Sequence, residues 1–349
     1  MTGIIHRLFH RHTLEDKVTH ISPDNREVNK RTPTPGSNRA GVPQIIPGIG
    51  YSIGKKREHN EDALFTFTAN LESGNTQINL GLFIVADGMG GHEHGELASE
   101  NAVRIMASKI ILKLPAFISN DNLAISLDSI QEMMKESALD AHNEVLKNVP
   151  GGGTTLTAAL VLGDQITISH IGDSRAYAIT SDGKMKMLTH DHSLVRRLIE
   201  LGRITPEEAA VHPQRNVLYR ALGQADSIEL DIITYTLPVS SYLLICSDGL
   251  WGVVSDDEII EIITTSPSPN IACQRMVEAA NTAGGPDNIA TLLIQMPDSV
   301  PATRVVFNQE NQKERSHIIE NAIINGTHEG IVQNSFSATD NFRDTRNKP

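Results

Sequence analysis

Four acidic clusters spread from residue 61 to residue 288 constrain this chain most, because each borders sequence that has to be buried. They are Glu61-Asp62 in REHNEDALF, Asp87-Gly88 in FIVADGMGGH, Asp248-Gly249 in LLICSDGLWG and Asp287-Asn288 in GGPDNIATLLI. In three of them an Asp stands where an apolar, strand-like run meets a Gly turn or begins again after one. An Asp so placed is held at a sheet edge with a backbone carbonyl beside it. Several carboxylates meeting there repel one another unless a hard cation compensates them, and the economical reading is an oxygen-ligand site for Mg²⁺ or Mn²⁺. Taken singly, an Asp-Gly pair is a plain turn; four clusters on apolar strand ends outweigh that reading.

The rest of the composition narrows the setting. The chain has 349 residues, 39% of them hydrophobic, which is enough for a real core. Its formal net charge of -12 is unevenly placed: about +3 over residues 1–46, about -14 over 47–296 and about -1 over 297–349. An acidic middle without a Lys/Arg stripe argues against nucleic acid as a partner. No stretch is long and apolar enough to span a bilayer, and the N-terminal apolar patches are too short for a signal-peptide core. The two cysteines, Cys246 and Cys273, form no CxxC pair. A buried free thiol at Cys246 and a reducing, cytoplasmic setting are expected. Residues 1–46, rich in Pro, Thr, Asn, Arg and Lys, read as a disordered polar and basic arm. Residues 297–349 read as a second polar, disordered tail with a short helix near SHIIENAIIN, which leaves 47–296 as the folded domain.

Within that domain INLGLFIVAD (78–87) has the composition of a buried strand. A helix is expected over 97–114, with Ala98, Ala102, Ile105, Met106 and Ile110 at helical spacing, and another over about 125–147 with Ile130, Met134, Ala138, Ala141 and Val145 on one face. Short strands follow in TTLTAALVL, QITISHI, SRAYAIT and KMKML, with Gly163-Asp164 and Asp182-Gly183 as hairpin turns. Residues 192–222 switch to helix and loop. SYLLICSD and NIATLLIQM read as buried strands flanking two helices, the first of which opens with a capping-box pattern from Ser255 to Glu258. Runs of hairpin strands with inserted helix pairs define an α+β fold with antiparallel sheets.

The chemistry follows from the acids. A pair of divalent ions at such a site would lower the pKa of a water and clamp an in-line displacement at phosphorus. Arg57, four residues before Glu61, supplies a planar guanidinium suited to two phosphate oxygens.

The ordered motifs REHNEDALF, VADGMGGHEHGELAS, GGTTLTAALV, HIGDSRAYAI, LTHDHSLV, YRALG, LLICSDGLWGVVSDDEI and GGPDNIATLLI resemble the metal-dependent protein serine/threonine phosphatases of type 2C, most closely their bacterial branch. The resemblance spans about residues 47–296. It implies a four-layer α-β-β-α sandwich with two central antiparallel sheets. It further implies hydrolysis of phosphoserine and phosphothreonine in proteins by water or hydroxide bridging two Mg²⁺ or Mn²⁺ ions, without a phosphoenzyme. On that likeness Asp87 bridges the ions, Glu61 and the carbonyl of Gly88 complete one, and Asp248 and Asp287 complete the other. Asp62 holds a water, Arg57 binds the substrate phosphate, and Asp173 shares a third, weaker ion with Asp248. The segment 192–222 corresponds to a mobile flap that influences substrate choice. A monomer acting on phosphoproteins made by a Ser/Thr kinase is expected.

One position departs from many eukaryotic members. Where they carry a His after Asp-Gly, proposed as general acid, this chain has Met89, and a thioether cannot deliver a proton. His92, His94, His190 and His192 are nearby, each equally suited to structural hydrogen bonding, and the acid stays unassigned. Two alternatives remain open at this stage: a catalytically weak scaffold that binds phosphoproteins, and a metal-dependent phosphoesterase acting on small esters. Other chemistries fit poorly. A cysteine phosphatase needs an Arg six residues after its thiolate, and here those positions hold Gly252 and Ala279. No D-x-D nucleophile motif lies in the core, PGGGTTLT lacks the Lys of a P-loop, and the His-x-His pairs at 10–12 and 92–94 lack further zinc ligands.

Overall fold

The computed structural model describes residues 44–73, 76–90, 93–118 and 126–298. The expectations for residues 1–43 of the arm, for nearly all of the tail with its short helix, and for His92 lie outside the described residues. The last residues of the expected arm are ordered instead: Ile45 is buried and Ile46 opens a strand, because the apolar Ile45 side chain packs into the core.

Eleven strands occur among the described residues: β1 (Ile46–Ser52), β2 (Asp62–Ser73), β3 (Thr76–Met89), β4 (Gly153–Thr154), β5 (Leu156–Leu162), β6 (Gln165–Ile171), β7 (Arg175–Ile179), β8 (Met185–Met187), β9 (Asp231–Thr236), β10 (Tyr242–Cys246) and β11 (Ile289–Gln295). They build two antiparallel sheets, one ordered β1-β11-β10-β7-β8 and the other β2-β3-β5-β6-β9, with β4 paired to the end of β3. The long helices α1 (Glu93–Ile118) and α2 (Leu127–Asn148) come from one stretch of chain. The short α3 (Leu194–Glu200) and α4 (Pro206–Ala210) lie in the 192–222 segment, and α5 (Asp248–Trp251), α6 (Asp256–Thr265) and α7 (Pro269–Thr282) follow β10.

Side-chain alternation along the strands creates the layers. In β3, Leu80, Leu82, Ile84 and Ala86 join Ala102, Met106, Met134 and Ala138 of α1 and α2 in one cluster. The intervening Phe83 and Val85 turn to the opposite face and meet Ile245, Leu292 and Ile294 of the other sheet. In β10 and β11 the complementary set, Leu244, Cys246, Ile289 and Leu293, packs on Ile259, Ile263, Cys273 and Met276 of α6 and α7. A strand covered on both faces has no solvent side, which is why these stretches are nearly continuous apolar runs. The four-layer α-β-β-α order expected from the sequence is the one observed.

Several elements differ from expectation for identifiable reasons. Helix α1 starts at Glu93 and runs through Pro115 to Ile118 rather than stopping at Leu114; a proline this close to the C-terminal end removes one donor without ending the helix. Asp87-Gly88 is not a turn: β3 continues to Met89, and Gly88 pairs with Thr154. Asp248-Gly249 is the first turn of α5. In α6, Ser255 Oγ does accept from Glu258 N, at 3.3 Å.

Strand β1, IPGIGYS, is not among the elements expected from the sequence, and its first residue belongs to the expected arm. Its glycines are required by packing. A Cβ on Gly48 would lie 2.2 Å from the carbonyl carbon of Pro269, and one on Gly50 would lie 2.8 Å from the carbonyl oxygen of Cys273, so α7 rides directly on the backbone of β1. Gly48→Ala is therefore expected to push α7 off the sheet and cost about 1–3 kcal/mol or more, read as a lowered urea midpoint at unchanged slope. An unchanged midpoint would refute this packing account.

Candidate active site

The acids separated along the chain meet at one end of the sandwich, where both sheets contribute. Asp62 and Asp87 are directly opposed cross-strand partners in β2 and β3. The backbone of Asp87 is fixed on both sides: its N–H donates to Thr155 Oγ1 at 2.9 Å, and its carbonyl accepts from Thr155 N and Thr154 Oγ1, each at 2.9 Å. Gly88 N donates to the carbonyl of Glu61 at 3.0 Å, and Ser99 Oγ of α1 donates to that same carbonyl at 2.6 Å. Close approach explains the glycines here. A Cβ on Gly88 would sit 2.2 Å from Gly95 O, and one on Gly95 would sit 2.8 Å from the Glu61 carboxylate, so α1 presses Glu61 against the Gly88 backbone.

Asn288 ties this corner together from the other sheet. Its Oδ1 accepts from Glu61 N at 2.8 Å, and its Nδ2 donates to the carbonyls of Ile53 and His59, each at 2.9 Å. Both its donor hydrogens and its carbonyl oxygen go into holding the 53–61 loop beside the start of β11. Ser247 makes the second tie: its Oγ donates to Asp62 Oδ2 at 2.8 Å and accepts from Ala290 N at 2.9 Å. Asp248 follows immediately at the start of α5. Asp287 stands on the turn into β11, where Oδ1 accepts from Asn288 N and Oδ2 accepts from Arg57 at 2.8 Å. Asp173 closes the set from the β6–β7 turn.

Burial and like charge dominate the electrostatics. Asp62 is pushed up to about 8, first by burial and then by Asp248 and Asp287, against the opposing hydrogen bond from Ser247. Burial, then Asp62, Asp248, Asp173 and Asp287, holds the Asp87 carboxyl well above the usual range. Asp248 is raised to about 6 by burial and Asp287, while a hydrogen bond donated by Asp87 lowers it. Burial and Asp248 raise Asp173. Two carboxylate oxygens, Asp62 Oδ1 and Asp248 Oδ1, are buried without a hydrogen-bond partner, which is the state expected of oxygens placed for a cation. Among the described residues no three His, Cys, Asp or Glu side chains are drawn into a ready-made cage. Arg57 occupies Asp287, Asp87 bonds to Asp248, and one candidate donor is a backbone carbonyl.

The eight residues singled out in the sequence, Arg57, Glu61, Asp62, Asp87, Gly88, Asp173, Asp248 and Asp287, all fall in this corner. Sequence reasoning missed the residues that hold them: Thr155, Ser247 and Ser99, whose small hydroxyls leave no pattern in a chain read alone. His190 pairs with Glu200. His192 accepts from Gly172 N at 3.1 Å and lies 3.3 Å from Asp231. Both fasten the 192–222 segment rather than face the acids.

His170, fully buried in β6, makes a pH-sensitive element of its own. The His190 carbonyl can only accept, so Nε2 donates to it at 2.9 Å, leaving Nδ1 for the Thr157 hydroxyl at 2.9 Å. Burial, then the neighbouring His192, lowers its pKa to about 4 from 6.5. Its neutral form therefore favours folding above about pH 6.5, and that contribution is lost as pH falls towards 4. The stability advantage of the wild type over His170→Gln should shrink by about 3 kcal/mol between pH 7 and pH 4, measured by urea unfolding. A pH-independent difference would refute the assignment.

Comparison with known proteins agrees with this geometry. The Protein phosphatase 2C family matches residues 50–289, and the chain belongs to that family. The serine/threonine phosphatase stp of Listeria innocua is 40% identical over 243 residues, covering 69% of this chain and 92% of its own. The Mycobacterium tuberculosis serine/threonine phosphatase PstP/Ppp superposes with a TM-score of 0.60 at 30% identity, covering 72% of this chain and 99% of that one. A structure of the PstP catalytic domain in complex with two manganese ions has a TM-score of 0.56 at 31% identity, covering 72% and 97%. The chain is a protein serine/threonine phosphatase of the bacterial branch of a metal-dependent family, and phosphoproteins are its substrates. No helix among the described residues is long and apolar enough to cross a membrane.

Proposed function

We propose that this phosphatase hydrolyses phosphoserine and phosphothreonine with two Mg²⁺ or Mn²⁺ ions seated among the acids at this end of the sandwich. The observation that carries the reading is the buried, mutually repelling carboxylate set in which Asp62 Oδ1 and Asp248 Oδ1 lack any partner. Glu61, Asp87 and the Gly88 carbonyl would hold one ion, and Asp87, Asp248 and Asp287 the other, with Asp173 and Asp248 available to a weaker third. Bound there, the ions would supply Lewis acidity towards the phosphate and lower the pKa of a water, so that no phosphoenzyme would be required.

The side chains contribute the rest. Asp62, fixed by Ser247, orients a water and accepts its hydrogen bond. Arg57 lies at the rim of the site with its side chain 45% exposed, and the donors not given to Asp287 are available to phosphate oxygens. Met89 leaves the leaving-group proton to solvent within the site. We further propose a monomeric, cytoplasmic enzyme opposing a Ser/Thr kinase. Two buried unpaired thiols are in keeping with a reducing compartment.

Phosphate release from a phosphothreonine peptide tests the chemistry. Release should require added Mn²⁺ or Mg²⁺ and stop with a chelator. Turnover that survives complete chelation would refute the metal mechanism.

A further inference from the structure

The β6–β7 turn that carries Asp173 is clamped from every side, more tightly than a connecting turn needs. Gly172, at φ +108, has no room for a Cβ, which would meet Thr155 Cβ at 2.6 Å. Its N–H donates to His192 Nδ1 at 3.1 Å and its carbonyl accepts from His192 N at 2.7 Å. Ser174 Oγ shares a hydrogen bond with Thr155 Oγ1 at 2.7 Å. The remaining hold comes from the opposite direction. Trp251 Nε1, in the last position of α5, donates to the carbonyl of Asp173 at 3.1 Å. The Arg175 guanidinium lies 3.5 Å from the centroid of that indole. Arg175 is itself gripped by Asp191, through Nε at 3.0 Å and a second nitrogen at 2.7 Å.

This arrangement links two acids that oppose each other. Helix α5 begins with Asp248 and ends with Trp251, so the indole ties the helix carrying Asp248 to the turn carrying Asp173. The separation of the two carboxylates is therefore set through that one hydrogen bond. A flat ring stacked under a forked cation holds it in place, because neither group turns freely. Simple core packing does not explain the arrangement. Trp251 is only partly buried, and its polar edge goes to this one carbonyl.

We propose that Trp251, braced by Arg175 and Asp191, is a positioning residue that holds Asp173 facing Asp248 so that the two can share a divalent cation. The inference rests on the metal reading of the site given above. It adds a consequence: Trp251 is the only tryptophan in the chain, so its fluorescence reports directly on this pair.

The test uses chelated full-length protein titrated with Mg²⁺ by calorimetry and by tryptophan fluorescence, together with phosphopeptide kinetics at varied Mn²⁺. Wild type should show a weak binding step accompanied by a fluorescence change, and Asp173→Asn should lose both. Trp251→Phe keeps a ring for Arg175 but lacks the N–H. It should move the weak step, and the Mn²⁺ concentration for half-maximal activity, at least about tenfold higher. Tight binding and the KM for phosphopeptide should stay unchanged. Arg175→Lys, which loses the fork, should shift the weak step in the same direction, and it serves if Trp251→Phe fails to fold. Weak binding identical to wild type in the folded variants would overturn the proposal, as would equal weakening of the tight and weak steps. Wild type binding no divalent cation at all would instead overturn the metal reading on which the proposal stands.

Discussion

Asp87→Asn should abolish phosphatase activity and, in metal-free protein, raise the melting temperature. Both effects come from one carboxylate. Activity should fall at least about a thousandfold, equivalent to ~4 kcal/mol of barrier, because Asp87 is the acid common to both proposed ion sites. The stability effect has the opposite sign. Asp87 is buried among Asp62, Asp173, Asp248 and Asp287, and its pKa is held well above the ordinary value. At pH 7 the unfolded chain would ionise this group freely, whereas burial and the neighbouring acids oppose its charge in the folded chain, so the group works against folding. The amide of Asn has no charge to suppress and keeps a donor for Asp248. At roughly 2–4 °C per kcal/mol for a domain of this size, chelated Asp87→Asn should melt several degrees above chelated wild type, and added Mn²⁺ should reverse the order. A variant that is inactive but less stable in chelator would show that Asp87 supports the fold rather than storing repulsion for a cation.

Arg57→Ala should weaken phosphate recognition by about 1.5–3 kcal/mol, the worth of hydrogen bonds to a charged group, and leave the fold nearly untouched. Inorganic phosphate inhibition and the KM for phosphopeptides should both move by roughly ten- to a hundredfold. The ion pair lost, Arg57–Asp287, has side chains 45% and 23% exposed, and a pair that open to solvent contributes about 0–1 kcal/mol. Losing Arg57 also frees Asp287 Oδ2, so divalent affinity should hold or rise slightly. Unchanged phosphate inhibition would remove Arg57 from the substrate site, and a collapse in stability would reassign it to structure.

How far the sequence could be read differs between elements for physical reasons. β3, β10 and β11 were legible because a strand covered on both faces must be apolar at every position, and no other short element carries that pattern. α2 was legible because a single apolar stripe at helical spacing had one sheet to face. β1 was not, since its glycines answer to a helix that follows more than two hundred residues later, and no local rule reports such an approach. β9 escaped because DIITYT lies half-exposed at the end of its sheet. The acids were legible one by one, being out of place beside apolar runs. Their local geometry was not: Gly88 looked like a turn residue but is required by Gly95 of α1, and Asp248-Gly249 looked like a turn but starts a helix. Asn288 stood in the sequence beside Asp287, yet its work is to hold the loop that carries Arg57 and Glu61. Such a role becomes visible only once the two sheets have been brought together.

If carboxylates from both sheets hold a pair of divalent cations, anomalous scattering from a Mn²⁺-loaded crystal of the protein will locate them. The account predicts two strong peaks, both within bonding distance of Asp87, one also contacting Glu61 and the Gly88 carbonyl and the other Asp248 and Asp287, with Arg57 turned away from Asp287. Peaks confined to surface carboxylates, with Asp87 still bonded to Asp248, would contradict it.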